Sequence, residues 1–324
     1  MAAAAPPRPT RPPDLAWEWR PAAAGALCAV PAAVLITSDV SAGLALAVGV
    51  LPASIVGVAP TRRERRRIFV VGALTGVCML VGGALSAVPV LAVAAVALLG
   101  VGTALLAART PLGQVAMTLA LPLVGIGLSY SDLGEAAAAA GLMVCGGLYA
   151  CLLAMLWPER EPAPRPARPP GGPTLEYGIR LGAAGATAAA IGFLAGLEHV
   201  GWATAAALLV MRPVAEMQRL RSAGRIAAVL AGAVAAIALL DVSPSAPWYA
   251  LAAIVAVAGA AGTHGSRWYV TPAFTTFLVF LLLLYADRQD TEYRLLERLG
   301  ETLLGVGIAY FFGLVVPRLR RRSA

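Results

Sequence analysis

Long apolar runs separated by short polar breaks organise the whole chain. The runs are roughly 18–22 residues long, the length that crosses a bilayer as a helix. They predict spans at about 21–37, 41–59, 68–87, 89–107, 110–130, 135–157, 179–197, 201–213, 226–241, 247–265, 270–286 and 298–316. The breaks carry turn and boundary residues: Thr37-Ser38-Asp39, Ser86 to Pro89, Tyr130-Ser131-Asp132 and Trp157-Pro158. Trp17 and Trp19 beside Arg20 form an interfacial anchor. The alternating segments of about ten residues that a membrane β-barrel needs are absent.

The pattern runs through twice. Trp202 to Gly232 is an apolar run ending at Arg212-Pro213, a loop with Arg219, Arg221 and Arg225, and a second apolar run. Earlier, a run with Pro52, a basic loop with Arg62, Arg63, Arg65, Arg66 and Arg67, and a run opening at Gly72 follow the same plan. Arg65 and Arg225 lie 160 positions apart, as do Gly72 and Gly232, and Arg20 and Arg180. Thr110-Pro111 precedes Thr271-Pro272 by 161; Gly146 and Pro158 precede Gly305 and Pro317 by 159. Tyr130-x-Asp132 and Arg109 return at Tyr285-x-Asp287 and Arg267. Six spans in each copy give both the same orientation, a parallel repeat. The fold class expected is an all-α polytopic membrane protein of about twelve transmembrane helices in two parallel six-helix repeats. Residues 1–16 form a disordered tail and 17–158 the first repeat. Residues 159–175 form a Pro-rich linker, 176–317 the second repeat and 318–324 a basic tail.

Composition agrees. Of 324 residues, 59% are hydrophobic and 13% charged, and mean hydropathy is +0.78. A soluble surface of this size needs far more charge. All 25 basic side chains are arginine, and the net charge is +8. In a membrane chain this excess reads as cytoplasmic loops rather than nucleic-acid binding. With both termini and the linker on one side, that side holds 22 arginines against 7 acids; the other holds Arg288, Arg294 and Arg298 against 10 acids. Both termini are therefore expected in the cytoplasm, in a multi-pass protein of the cell membrane. The Ala/Pro/Arg-rich start has no apolar core and does not read as a signal peptide. Cys28, Cys78, Cys145 and Cys151 all fall in apolar runs and read as packing residues.

Enzyme chemistry finds no support. There is no P-loop and no H-E-x-x-H, and the only histidines, His199 and His264, fall on opposite predicted sides. No catalytic residue, cofactor or metal is expected. Gly82-Gly83 and Gly146-Gly147 read as close helix packing. The ionisable residues at span ends say more. Arg180, Arg212 and Arg225, with Arg20 and Arg65 as first-half counterparts, adjoin apolar sequence. Guanidinium grips carboxylates bidentately, so these are candidate contacts for a small organic anion. Headgroup anchoring is the competing role. Gln114 is a candidate contact within a span. Glu198, His199 and Glu301, near the opposite boundary, are candidates to carry a coupling proton.

The run W-A-T-A-A-A-L-L-V-M-R-P followed by R-S-A-G-R-I-A-A-V-L-A-G, and R-L-G-E-T-L-L-G-V-G-I-A at 298–309, resembles the core of the FUSC, or fusaric acid resistance-like, proteins. Two departures stand out: Ala228-Val229 replaces the usual Gly-Thr, and the large cytoplasmic domain of many relatives is missing. The resemblance implies efflux of aromatic carboxylic acids, and a likeness to plant malate channels. The expected function is secondary efflux of small organic anions; an uncoupled anion channel and a non-transporting scaffold are the alternatives. The bilayer and the anion are the expected partners.

Overall fold

The computed structural model describes residues 14–161, 172–242, 245–266, 270–286 and 291–323, and among these no strand occurs. Helices fall at each expected span. In order they are α1 (Trp19–Ile36), α2 (Val40–Ile55), α3 (Arg62–Ser86), α4 (Pro89–Arg109), α5 (Pro111–Gly127), α6 (Leu133–Leu156), α7 (Leu175–Leu194), α8 (Val200–Val210), α9 (Ala215–Asp241), α10 (Ala246–Gly262), α11 (Thr271–Ala286) and α12, which begins at Thr291–Tyr310. α5 contains a π segment at Ala116–Ala120. α12 continues through another at Phe311–Val315 into Val316–Ser323.

Seven of these helices are long and apolar enough to cross a membrane: α1, α3, α4, α6, α7, α9 and the Tyr293–Leu319 stretch of α12. The others are apolar but shorter, α8 being only 11 residues. Val77, Val90, Leu98, Leu156, Leu194, Val234 and Val255 are exposed on the outside of the bundle. In a bilayer that surface meets acyl chains at no cost, so this is a multi-pass membrane protein. Asp287, Arg288, Arg267 and most of the Pro-rich linker lie outside the described residues.

Local chemistry sets the helix starts. Asp39 accepts from the Ala42 amide at 2.9 Å, Thr110 from Gly113 at 2.9 Å and Thr174 from Tyr177 at 3.2 Å. Each satisfies an otherwise orphaned N–H. Three helices begin earlier than the hydropathy predicts. The basic loops before positions 68 and 226 are helical, so α3 starts at Arg62 and α9 at Ala215. α12 starts at Thr291 rather than 298. The reason is amphipathicity. The buried stripe of α9 runs Gln218, Ser222, Arg225, Val229, Gly232, Ala236, one helical face that changes from polar to apolar.

Packing joins distant segments. α1 lies along α10, and α4 along α7; α3 packs on α6, α9 on α11, α2 on α6, and α8 on α12. One core unites α1, α2, α6, α9, α10 and α11. A second unites α4, α5, α7, α8 and α12. Small residues permit the closest crossings. A Cβ on Gly100 would sit 2.5 Å from the Gly182 Cα, and one on Gly72 2.6 Å from the Gly147 Cα, so backbone meets backbone at α4–α7 and α3–α6.

Candidate functional site

Charged side chains enter the second core from three elements. α12 presents Arg294, Glu297, Arg298 and Glu301 at three- and four-residue spacing, which sets them on one face. The turn before α8 brings Glu198 and His199, α8 itself Trp202, and α9 Arg225.

At the rim, Arg294 Nη1 lies 2.8 Å from Glu198 Oε1 and 3.5 Å from Glu297 Oε2. His199 Nδ1 lies 3.1 Å from Glu297 Oε1. Ligand atoms of Glu198, His199 and Glu297 fall within 4.8 Å of one another, a spacing that could hold a metal ion. Arg294 already contacts both carboxylates and fills the role of that cation.

Deeper in, the His199 ring lies 4.5 Å from the Trp202 ring. The Arg298 guanidinium lies on Trp202, its Cζ 3.6 Å from the ring centroid. This cation–π contact holds the guanidinium flat. Arg298 is 6% exposed and Glu301 3%. Arg298 Nε and Nη1 and both carboxylate oxygens of Glu301 have no hydrogen-bond partner among the described residues. Buried polar atoms are nearly always paired, so this is a concentrated exception. The charges of Arg225, Glu301 and Glu297 act on Arg298. Arg225, 5% exposed, is the eleventh residue of α9, well inside the helix rather than at its end.

A second cationic group lies where α7, α8 and α9 begin or end. The charges of Arg212, Arg180 and Arg221 reach the Tyr177 hydroxyl, which is buried without a hydrogen-bond partner among the described residues. Arg212 Nη1 donates to the Met211 carbonyl at 2.5 Å, and the Arg212 amide lies 3.5 Å from Gln218 Oε1. Gln218 is fully buried and also donates through Nε2 to the Ala309 carbonyl. Two ionisable clusters thus lie in the part of the bundle built by α7, α8, α9 and α12.

Residues 187–312 match the fusaric acid resistance protein-like family. No curated protein and no solved structure matches the chain. The family match takes in Glu198, His199, Trp202, Arg212, Arg225, Arg298 and Glu301, the deep cluster entire.

Arg180 also leans on its own helix, and Arg20, Gln114 and Arg65 are dispersed. Arg180 is half-buried and pairs with Glu176 one turn earlier at 3.7 Å. Arg20 is exposed in the first turn of α1. Gln114 is exposed in the first turn of α5, and the buried carboxamide is Gln218. Arg65 is 1% exposed, and its guanidinium donates to the carbonyls of Ala59, Pro60, Ala154, Trp157 and Pro158 at 2.5–2.9 Å. It ties the end of α6 to the α2–α3 turn.

The sequence reading did not single out Arg298, Glu297, Arg294, Trp202, Gln218 or Tyr177. The first three were counted as charges of an outer loop. Their three- and four-residue spacing with Glu301 was the available signal of a helical face.

Proposed function

We propose that the protein is a secondary transporter that exports small organic anions, aromatic carboxylates foremost. One observation carries the reading. A guanidinium held flat on an indole, with an unpaired carboxyl one turn away, is buried in a bundle otherwise made of apolar helices. Ionisable groups at membrane depth are costly, and they mark substrate and ion pathways. Arg212, Arg180 and Arg221 would collect the anion at one end; Arg225 and Arg298 would receive it deeper in; Glu198, His199 and Glu301 would carry the proton. The family match supports transport over catalysis.

In this reading the twelve helices are two parallel six-helix halves with both termini cytoplasmic. The packing supports it. α1 on α10 and α7 on α4 become the same contact when the halves are exchanged, as do α2 on α6 and α8 on α12. The short helices α2 and α8 hold corresponding places, as do α5 and α11. Unusually short spans at matching positions point to a transporter's binding region. The site itself is one-sided: 159 positions before Arg298 and Glu301 stand Ala139 and Leu142, and 160 before Trp202 stands Ala42.

Purified protein in liposomes, loaded with benzoate and given a pH gradient or a potential, tests the function. Gradient-dependent flux is expected; current without coupling would identify a channel, and neither would identify a scaffold. Arg225→Ala and Arg180→Ala should each weaken apparent affinity about ten- to hundredfold, as the loss of a charged hydrogen bond worth roughly 1.5–3 kcal/mol implies. Arg→Lys should cost nearly as much, because lysine lacks the planar fork. Unchanged affinity in both alanine variants would place the anion site elsewhere.

A further inference from the structure

We propose that Glu301 is the internal counter-ion of Arg298, displaced when a carboxylate binds there, so that the anion and one proton bind together. The inference deepens the transport reading and rests on it; anion and proton then cross together, so export runs down the outward gradient of the acid and an inward proton gradient opposes it.

Three features of the deep cluster lead to it. First, stacking on Trp202 uses the face of the Arg298 guanidinium and leaves its N–H edge, with Nε and Nη1 donating to nothing among the described residues. A flat guanidinium with a vacant edge accepts a planar carboxylate. Second, Glu301 stands three residues on along the same helix, within the reach that joins side chains across one turn. No ion pair between the two is seen among the described residues, and neither Glu301 oxygen has a hydrogen-bond partner there, so the guanidinium edge stands open beside a buried carboxyl. The site therefore holds one guanidinium edge and one resident carboxyl able to claim it. Third, both side chains are almost fully buried. The cluster sets Arg225, Arg294 and Arg298 against Glu198, Glu297 and Glu301, so an entering carboxylate would leave one uncompensated negative charge and one carboxyl must be neutralised. An entering carboxylate takes the guanidinium, and Glu301 binds a proton on an oxygen. When the anion leaves, Glu301 gives up that proton and returns to Arg298.

The surroundings are compatible with this exchange. On α12, Arg294, Glu297 and Arg298 flank Glu301; α9 contributes Arg225, and the turn before α8 contributes Glu198 and His199. α7 offers Glu176, Tyr177 and Arg180, all in its first two turns. Arg294 is held by Glu198 and Glu297. Arg225 supplies a second positive charge that favours an anion at Arg298.

The test is proton counting. Benzoate is added to the purified wild type in weakly buffered detergent, and bound anion and pH change are read together. About one proton should be taken up per benzoate bound. Because only the protonated fraction of Glu301 leaves Arg298 free, apparent affinity should weaken by up to about tenfold per pH unit as pH rises. Glu301→Gln should bind benzoate with no proton uptake and a flat pH profile, and Arg298→Ala should lose binding. Binding by the wild type without proton uptake, or an unchanged pH slope in Glu301→Gln, overturns the inference and leaves the transporter reading standing. Absence of both binding and flux overturns both. The proton count is read on the wild type, so it decides the matter even if a variant does not fold.

Discussion

Arg65 and Arg298 show how differently one side chain can be used at the same depth of burial. Arg65 has its guanidinium shared among five backbone carbonyls, which joins two helix ends. Arg298 rests on an aromatic ring with its edge open. Removing Arg65 should therefore harm the fold and not the ligand. Arg65→Ala strands buried carbonyls and should cost on the order of 3 kcal/mol. Arg65→Lys should rescue little, since one ammonium cannot span those carbonyls. Denaturant unfolding in detergent, set beside benzoate affinity per folded molecule, checks this: stability should fall and affinity should hold. A loss of affinity at full stability would return Arg65 to the anion site. The sequence separates the two arginines poorly. Arg65 and Arg225 occupy matching places 160 positions apart, and only coordinates reveal that carbonyls already occupy the first. Gln114 misleads similarly: it lies in an apolar run, but its position in the first turn of α5 exposes it.

At the scale of helices, apolar length located nearly every element but misplaced the starts that matter. Positively charged residues are read as boundaries because charge is costly in lipid. That logic fails where the charge faces the protein interior. Arg225 and Arg298 each lie inside a helix because neighbouring helices, not lipid, receive them. Helix packing offers a cleaner expectation. Gly100 meets Gly182 backbone to backbone, whereas a side chain at Gly102 would meet open space. Gly100→Leu should force α4 from α7, at about 1–3 kcal/mol for overpacking or more. Gly102→Leu should be nearly neutral. Thermal unfolding of the two variants side by side reads the difference, and equal melting would place the α4–α7 crossing elsewhere.

For the molecule as a whole, the apolar helices are legible because a lipid-facing surface demands length and hydropathy whatever polar residues lie between the runs. The site was legible in fragments. Glu198, His199 and Glu301 stand out as charges beside apolar runs; Trp202 and Arg298 each head an apolar run, and nothing in the pattern says that the two meet. Topology can be tested directly. In a cysteine-free background, Glu161→Cys should react with an impermeant maleimide only from the cytoplasmic side. Ser38→Cys and Val242→Cys should react only from the opposite side. Labelling of all three from one face would refute two six-helix halves.

The indole of Trp202 lies between an imidazole and a guanidinium. A protonated imidazole quenches indole emission and a guanidinium over the ring shifts it; the first comes from the turn before α8 and the second from α12. The charged cluster thus contains its own optical reporter. Any anion that draws Arg298 off the ring, or any shift of α12 along α8, changes the brightness of one tryptophan. The difference spectrum against Trp202→Phe isolates that signal from the five other tryptophans of the chain. Motion at the centre can then be followed in real time without attaching a dye.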